Sequence, residues 1–207
     1  MGVEDEHSTS VSNGPRFARP EDVGDLDYAT RLGDPGEFPF TRGHLGAGRH
    51  QGWIHRELSG EGSPSTSNAQ LLRLIEHGAS GIDVIGDAPT VGLMDPDHPY
   101  ARHSVGTQGV SICRVADFEQ LYEGVPLESI SVSHSLPAAF TVAALHLVAQ
   151  RRGLDSRVIR GSVINAPMFM EDYAYATHLP YETRIRMALD AIEFAVEHMP
   201  KFHAFVE

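Results

Sequence analysis

Cys113 is the only cysteine in 207 residues. One thiol can build neither a disulfide framework nor a cysteine metal site, and such sparing use of cysteine points to the cytosol. Basic residues are also scarce. Lys and Arg number 16 against 28 Asp and Glu, for a formal net charge of -12. Nucleic acid and anionic membrane surfaces both need a basic footprint, so neither is expected as a partner. A polyanionic small ligand is disfavoured too, unless local arginines override the overall charge. No apolar run reaches the ~18 residues of a membrane span. The opening "MGVEDEHSTSVSNG" is acidic and polar, unlike a signal peptide. The twelve histidines form no HxH or HExxH pattern. They read as solvated or core-edge side chains, and no metal site is expected.

What is present suits a soluble globular domain with a real core: 41% of residues are hydrophobic and 21% charged. Residues 1–37 carry many Gly, Pro, Asp and Ser and little apolar periodicity, which reads as a flexible or partner-wrapping arm. Order is expected from "FPFTRG" onward, so residues 38–207 form the folded domain. The segment "GHLGAGRHQGW" holds a G-x-G at Gly46 and Gly48. It lacks the preceding strand and further glycine of a phosphate loop, so it reads as a ligand-lining loop.

From there helices and strands alternate. "STSNAQLLRLIEHG" is a helix capped by Ser65 or Ser67, with Leu71, Leu72, Leu74 and Ile75 as its stripe and Gly78 at its end. "SGIDVIGD" is a strand, "VADFEQLYEG" a helix, "ESISVSHS" a strand, and "PAAFTVAALHLVAQRRG" a strongly apolar helix. "RVIRGSVIN" is a strand, "YETRIRMALDAIEFAVEHM" an amphipathic helix, and "FHAFVE" the start of another strand. Residues 141–149 are apolar nearly all round and should be covered on both sides. Cys113, in "GVSIC", reads as an inert thiol at a buried strand end. The alternation implies βαβ units and a parallel sheet, either an open four-stranded sheet or a half barrel. A half barrel would leave edges and apolar helix faces to a partner, so the chain is not expected to be a monomer.

The ordered series "FPFTRG", "GIDVIGDAPT", "DPDHP", "VGTQGVSI", "LYEGVPLESISVS", "RGSVIN" and "EHMPKF" resembles the large, catalytic subunit of methylmalonyl-CoA mutase and related acyl-CoA mutases over about residues 38 to 203. The resemblance implies the first three to four units of a (β/α)8 barrel, with the pantetheine of an acyl-CoA along its axis. It also implies adenosylcobalamin on one end, held largely by a separate domain with no counterpart here. The cofactor would then come through a partner chain, a second barrel fragment or a cobalamin-binding subunit. "GDAPTVGLMDPDHP" would follow the first barrel strand at the catalytic face, which makes Asp87, Thr90, Asp95, Asp97 and His98 candidates for the cofactor-facing loop. Their other reading is a turn-rich loop whose aspartates cap helices. Arg56, Ser133, Ser135 and Ser162 match substrate-binding positions.

Elsewhere the sequence departs from the family pattern. Gln51 replaces a CoA-contacting arginine, Ile54 a threonine, Leu58 the tyrosine that touches substrate, and Ile164 a glutamine near the thioester. Ala174 falls where methylmalonyl-specific members pair the substrate carboxylate with arginine, and Asp83 replaces a serine. Asp83 is therefore a candidate for proton transfer, if its face of the strand is the lumen. His134 is a second candidate, although alternation points it away from Ser133 and Ser135. Two readings follow: a component of a split or divergent mutase acting on a non-methylmalonyl acyl-CoA, or a half barrel repurposed as a cofactor-free enzyme or a dimerising subunit.

Overall fold

A computed structural model describes Arg19, Asp22 and residues 24–43, 53–164 and 179–205. The Gly46–Gly48 motif, Gln51 and Ala174 lie outside these residues. The chain divides into two units, Met1–Gly52 and Trp53–Glu207. Among the described residues of the first is a short helix, α1 (Tyr28–Arg31), which begins at Asp27, whose carboxylate accepts from the Thr30 amide at 3.4 Å. The Arg42 guanidinium lies over the Tyr28 ring, 5.5 Å from its centroid.

In the second unit the elements run β1 (Arg56–Ser59), α2 (Pro64–Glu76), β2 (Gly81–Ile85), α3 (Ala88–Val91), α4 (Val115–Leu121), β3 (Ser131–Ser135), α5 (Ala138–Arg151), β4 (Arg160–Val163), α6 (Tyr181–His198) and β5 (Phe202–His203). The strands form one parallel sheet in the order β1-β2-β3-β4-β5. This is the α/β architecture expected from the alternation, with one strand more. β1, "RELS", goes unread in the sequence because it buries only Ser59, so no apolar alternation marks it. The "GDAPT" loop consequently follows the second strand and not the first.

Local chemistry sets the helix ends. Ser63, rather than Ser65 or Ser67, caps α2 and accepts from the Thr66 amide at 3.2 Å, with Pro64 in the first turn. Ser67 instead bonds the Glu61 backbone through both its donor and acceptor, at 2.9 and 3.0 Å. The core lies between the helices and one face of the sheet, where Ile82, Val84, Val132 and Val163 meet Phe118, Leu121, Tyr122 and Leu145. Within residues 141–149 only Ala143 is exposed, since α5 packs between α4 and α6 over the sheet. Both sides of that helix are thus covered without a second chain. Among the described residues no helix is long and apolar enough to cross a membrane.

β4 depends on a glycine. A Cβ at Gly161 would lie 1.7 Å from the carbonyl oxygen of Val132, its register partner on β3. Gly161→Ala is expected to break the β3–β4 pairing and cost several kcal/mol in urea unfolding. A variant within about 1 kcal/mol of the wild type would contradict this register.

Candidate functional site

Strand alternation sorts the sheet residues onto two faces. The helices cover one. The other, open face carries a first row of Arg56, Gly81, Ser131 and Arg160, matched in register across β1 to β4. Two residues further along, Leu58, Asp83, Ser133, Ser162 and His203 form a second row that crosses all five strands. Ile85 and Ser135 follow in a third.

Gly81 lets the first row close up, because a Cβ there would come within 3.2 Å of the Arg56 Cβ and 2.8 Å of Ile54. With that space free, Arg56 reaches across β2 and donates to the Ser131 hydroxyl at 2.7 Å. In the second row, Ser162 and the more deeply set Ser133, only 4% exposed, share a hydrogen bond of 2.5 Å and form the floor of the face. Beside them Asp83 is half-buried, and its Oδ1 is buried with no hydrogen-bond partner. Burial raises the Asp83 pKa, and the positive charge of Arg56 pulls it partly back. A carboxyl whose folded pKa lies above its unfolded value contributes fully below the ordinary carboxylate range and loses that contribution as pH rises through the raised folded value. Asp83→Asn should therefore raise the thermal midpoint more at pH 8 than at pH 4, and an equal gain at both would contradict the shift.

His134 is corrected by the same alternation. It lies on the helix side, 1% exposed, between Tyr122, Phe118 and Phe202. Its Nδ1 bonds the Ser162 carbonyl at 3.3 Å and its Nε2 meets the Tyr122 hydroxyl. The Nδ1 proton is given to the carbonyl, so Nε2 accepts from Tyr122. Full burial lowers its pKa to about 4. No substrate on the open face can touch it, and its role is structural.

The loop after β2 follows the capping pattern that was its other reading. Asp87 is fully buried. Its carboxylate accepts from the Thr90 amide at 2.8 Å, capping α3, and from the Gly106 amide at 2.6 Å. Thr90 spends its hydroxyl on the Ile112 backbone, accepting at 2.9 Å and donating at 3.2 Å. Both residues spend their side-chain polar atoms on fixing the loop. Asp95, Asp97 and His98 are exposed on that loop, with the His98 amide bonded to the Asp95 carbonyl at 3.0 Å. Cys113 is exposed rather than buried at a strand end. Partial desolvation of its sulfur, followed by the Asp117 carboxylate, raises its pKa, which disfavours the thiolate.

Arg160 and His203 were not among the expected site residues. Their signal is period-2 alternation from Ser162 and Phe202, visible only once the register is known. Leu58 and Ile164 present exposed apolar side chains.

The family model described as methylmalonyl-CoA mutase matches residues 10–206. The chain belongs to the methylmalonyl-CoA mutase family. The match begins well upstream of "FPFTRG". The 2-hydroxyisobutanoyl-CoA mutase large subunit of Aquincola tertiaricarbonis is 31% identical over 179 residues, covering 83% of this chain and 31% of that protein. Methylmalonyl-CoA mutase of Rhizobium meliloti (strain 1021) is 32% identical over 193 residues, 89% of this chain and 26% of its own length. The mitochondrial methylmalonyl-CoA mutase of Mus musculus is 30% identical, covering 94% of this chain and 26% of the enzyme. The chain thus spans about a quarter to a third of the curated relatives it matches.

Proposed function

We propose that this mutase-family chain supplies five strands of an acyl-CoA-binding barrel, and that its acyl substrate carries no carboxylate. The observation behind this reading is Asp83. A carboxyl with a buried, unpartnered oxygen stands on the open face beside the serine floor, where a second carboxylate would meet like charge in a partly dry setting. The 2-hydroxyisobutanoyl-CoA mutase among the relatives is named for an acyl group of this uncharged kind. On this reading Arg56, Ser133, Ser135 and Ser162 hold the ligand and Leu58 borders its acyl end.

A (β/α)8 barrel needs three more units than the five strands seen here. A second barrel fragment supplies them in the reading we favour, since a second copy would bring the strand number to ten. Adenosylcobalamin would supply the radical that starts a carbon-skeleton isomerisation. The described rim fits a surface that meets this cofactor, not a cradle that holds it. Asp87 and Thr90 spend their polar atoms on the loop itself, leaving Asp95, Asp97 and His98 to face outward. A cobalamin-binding partner is therefore part of the proposal. The second reading, a repurposed cofactor-free enzyme or dimerising subunit, draws support from Leu58 and Ile164 on the open side.

Native mass spectrometry of the chain, alone and co-expressed with its gene neighbours, tests the assembly in the presence of adenosylcobalamin and acyl-CoAs. The expected species contains a second barrel fragment and retains an acyl-CoA whose acyl group is uncharged. A self-dimer that ignores both ligands would overturn the reading.

A further inference from the structure

The row Leu58–Asp83–Ser133–Ser162–His203 brackets the serine pair with two groups that carry or share protons. His203 is exposed, and its neighbour Phe202 is buried against His134 on the helix side, so the imidazole stands on the open face. Asp83 and His203 lie three strands apart, roughly 14 Å between Cα atoms at ordinary strand spacing. Two side chains reaching inward leave room between them for one thioester lying on Ser133 and Ser162. Asp83 is half-buried, and with Oδ1 shut away from any donor its carboxylate gains no hydrogen bond on that side to offset the cost of its charge. An imidazole always has at least one N–H to donate.

We propose that Asp83 and His203 act as base and hydrogen-bond donor for proton exchange at the carbon next to an acyl thioester, without cobalamin. The Asp83 carboxylate takes the α-proton as the C–H bond breaks. The electron pair moves onto the thioester oxygen, and the resulting enolate oxygen accepts a hydrogen bond from the His203 N–H. Return of a proton from Asp83 restores the thioester. Nothing is oxidised or reduced, and solvent exchange on Asp83 between the two steps replaces the α-hydrogen. Burial of Asp83 favours this use, since a raised pKa makes a carboxylate a stronger base. The inference rests on the acyl-CoA reading and extends it to a reaction that five strands can perform.

The test is deuterium uptake by isobutanoyl-CoA in D2O, followed by mass spectrometry, with the 207-residue chain and no cobalamin. Calorimetry run in parallel reports isobutanoyl-CoA binding. Exchange at least about 100-fold above buffer is expected, the usual scale of general acid–base catalysis. Asp83→Asn and His203→Gln should each drop to the buffer rate while still binding isobutanoyl-CoA. Binding without exchange would overturn the proposal and leave the acyl-CoA reading standing. Exchange that survives in both variants would also overturn it. Failure of the lone chain to bind would overturn this proposal and leave the reading of an assembled acyl-CoA-binding barrel to its own test.

Discussion

Asp83→Ser will raise affinity for methylmalonyl-CoA about tenfold and leave that for isobutanoyl-CoA nearly unchanged. The size follows from Coulomb's law. Two unit charges about 8 Å apart repel by roughly 2 kcal/mol at the effective dielectric of a protein surface. Asp83 is only half-buried, so salt and water remove part of this, leaving about the 1.4 kcal/mol that corresponds to a factor of ten. Serine keeps a small polar side chain on the strand, and the neighbouring Ser133–Ser162 pair stays intact, so folding is little affected. Competition binding with the two thioesters measures the ratio directly. An unchanged ratio would show that Asp83 does not lie beside the acyl group.

Acidification from pH 7 to pH 4 will lower the unfolding free energy by about 3 kcal/mol through His134 alone. Its folded pKa is about 4, against about 6.5 in an unfolded chain. Between those values the unfolded state binds a proton that the native state refuses, so stability is full above pH 6.5 and falls as pH drops toward 4. His146 pushes in the same direction. Burial and then the charge of His198, whose ring lies 5.1 Å away, lower its pKa. His134→Gln keeps a donor and an acceptor but cannot titrate. It should cost about 1–2 kcal/mol at pH 7 and flatten the profile below pH 6.5. Urea unfolding at several pH values reads both effects. A variant as acid-sensitive as the wild type would place the titrating group elsewhere.

Much of this fold was legible from periodicity. β2 and β4 stood out in short stretches rich in Ile and Val, β3 by its alternation, and α2, α5 and α6 as longer patterns bounded by Pro and Gly. β1 was not legible because three of its four residues face water. Period-2 alternation correctly set His134 apart from Ser133 and Ser135, since neighbours along a strand take opposite faces. The loop was harder. Asp87 and Thr90 matched a family motif, but Asp followed three residues later by Thr at a helix start is also a capping pattern, and that is what the chain builds. His203 escaped notice because a two-residue strand has no periodicity of its own. Only its pairing with Ser162 puts it in the row.

The central claim is that the open face binds an acyl-CoA whose acyl group is uncharged. The most direct measurement is calorimetric titration of the wild-type chain, alone and with its barrel-completing partner, using 2-hydroxyisobutanoyl-CoA and methylmalonyl-CoA in one series. The expected result is tighter binding of the hydroxyacyl thioester by about tenfold. Equal or tighter binding of methylmalonyl-CoA would contradict the claim.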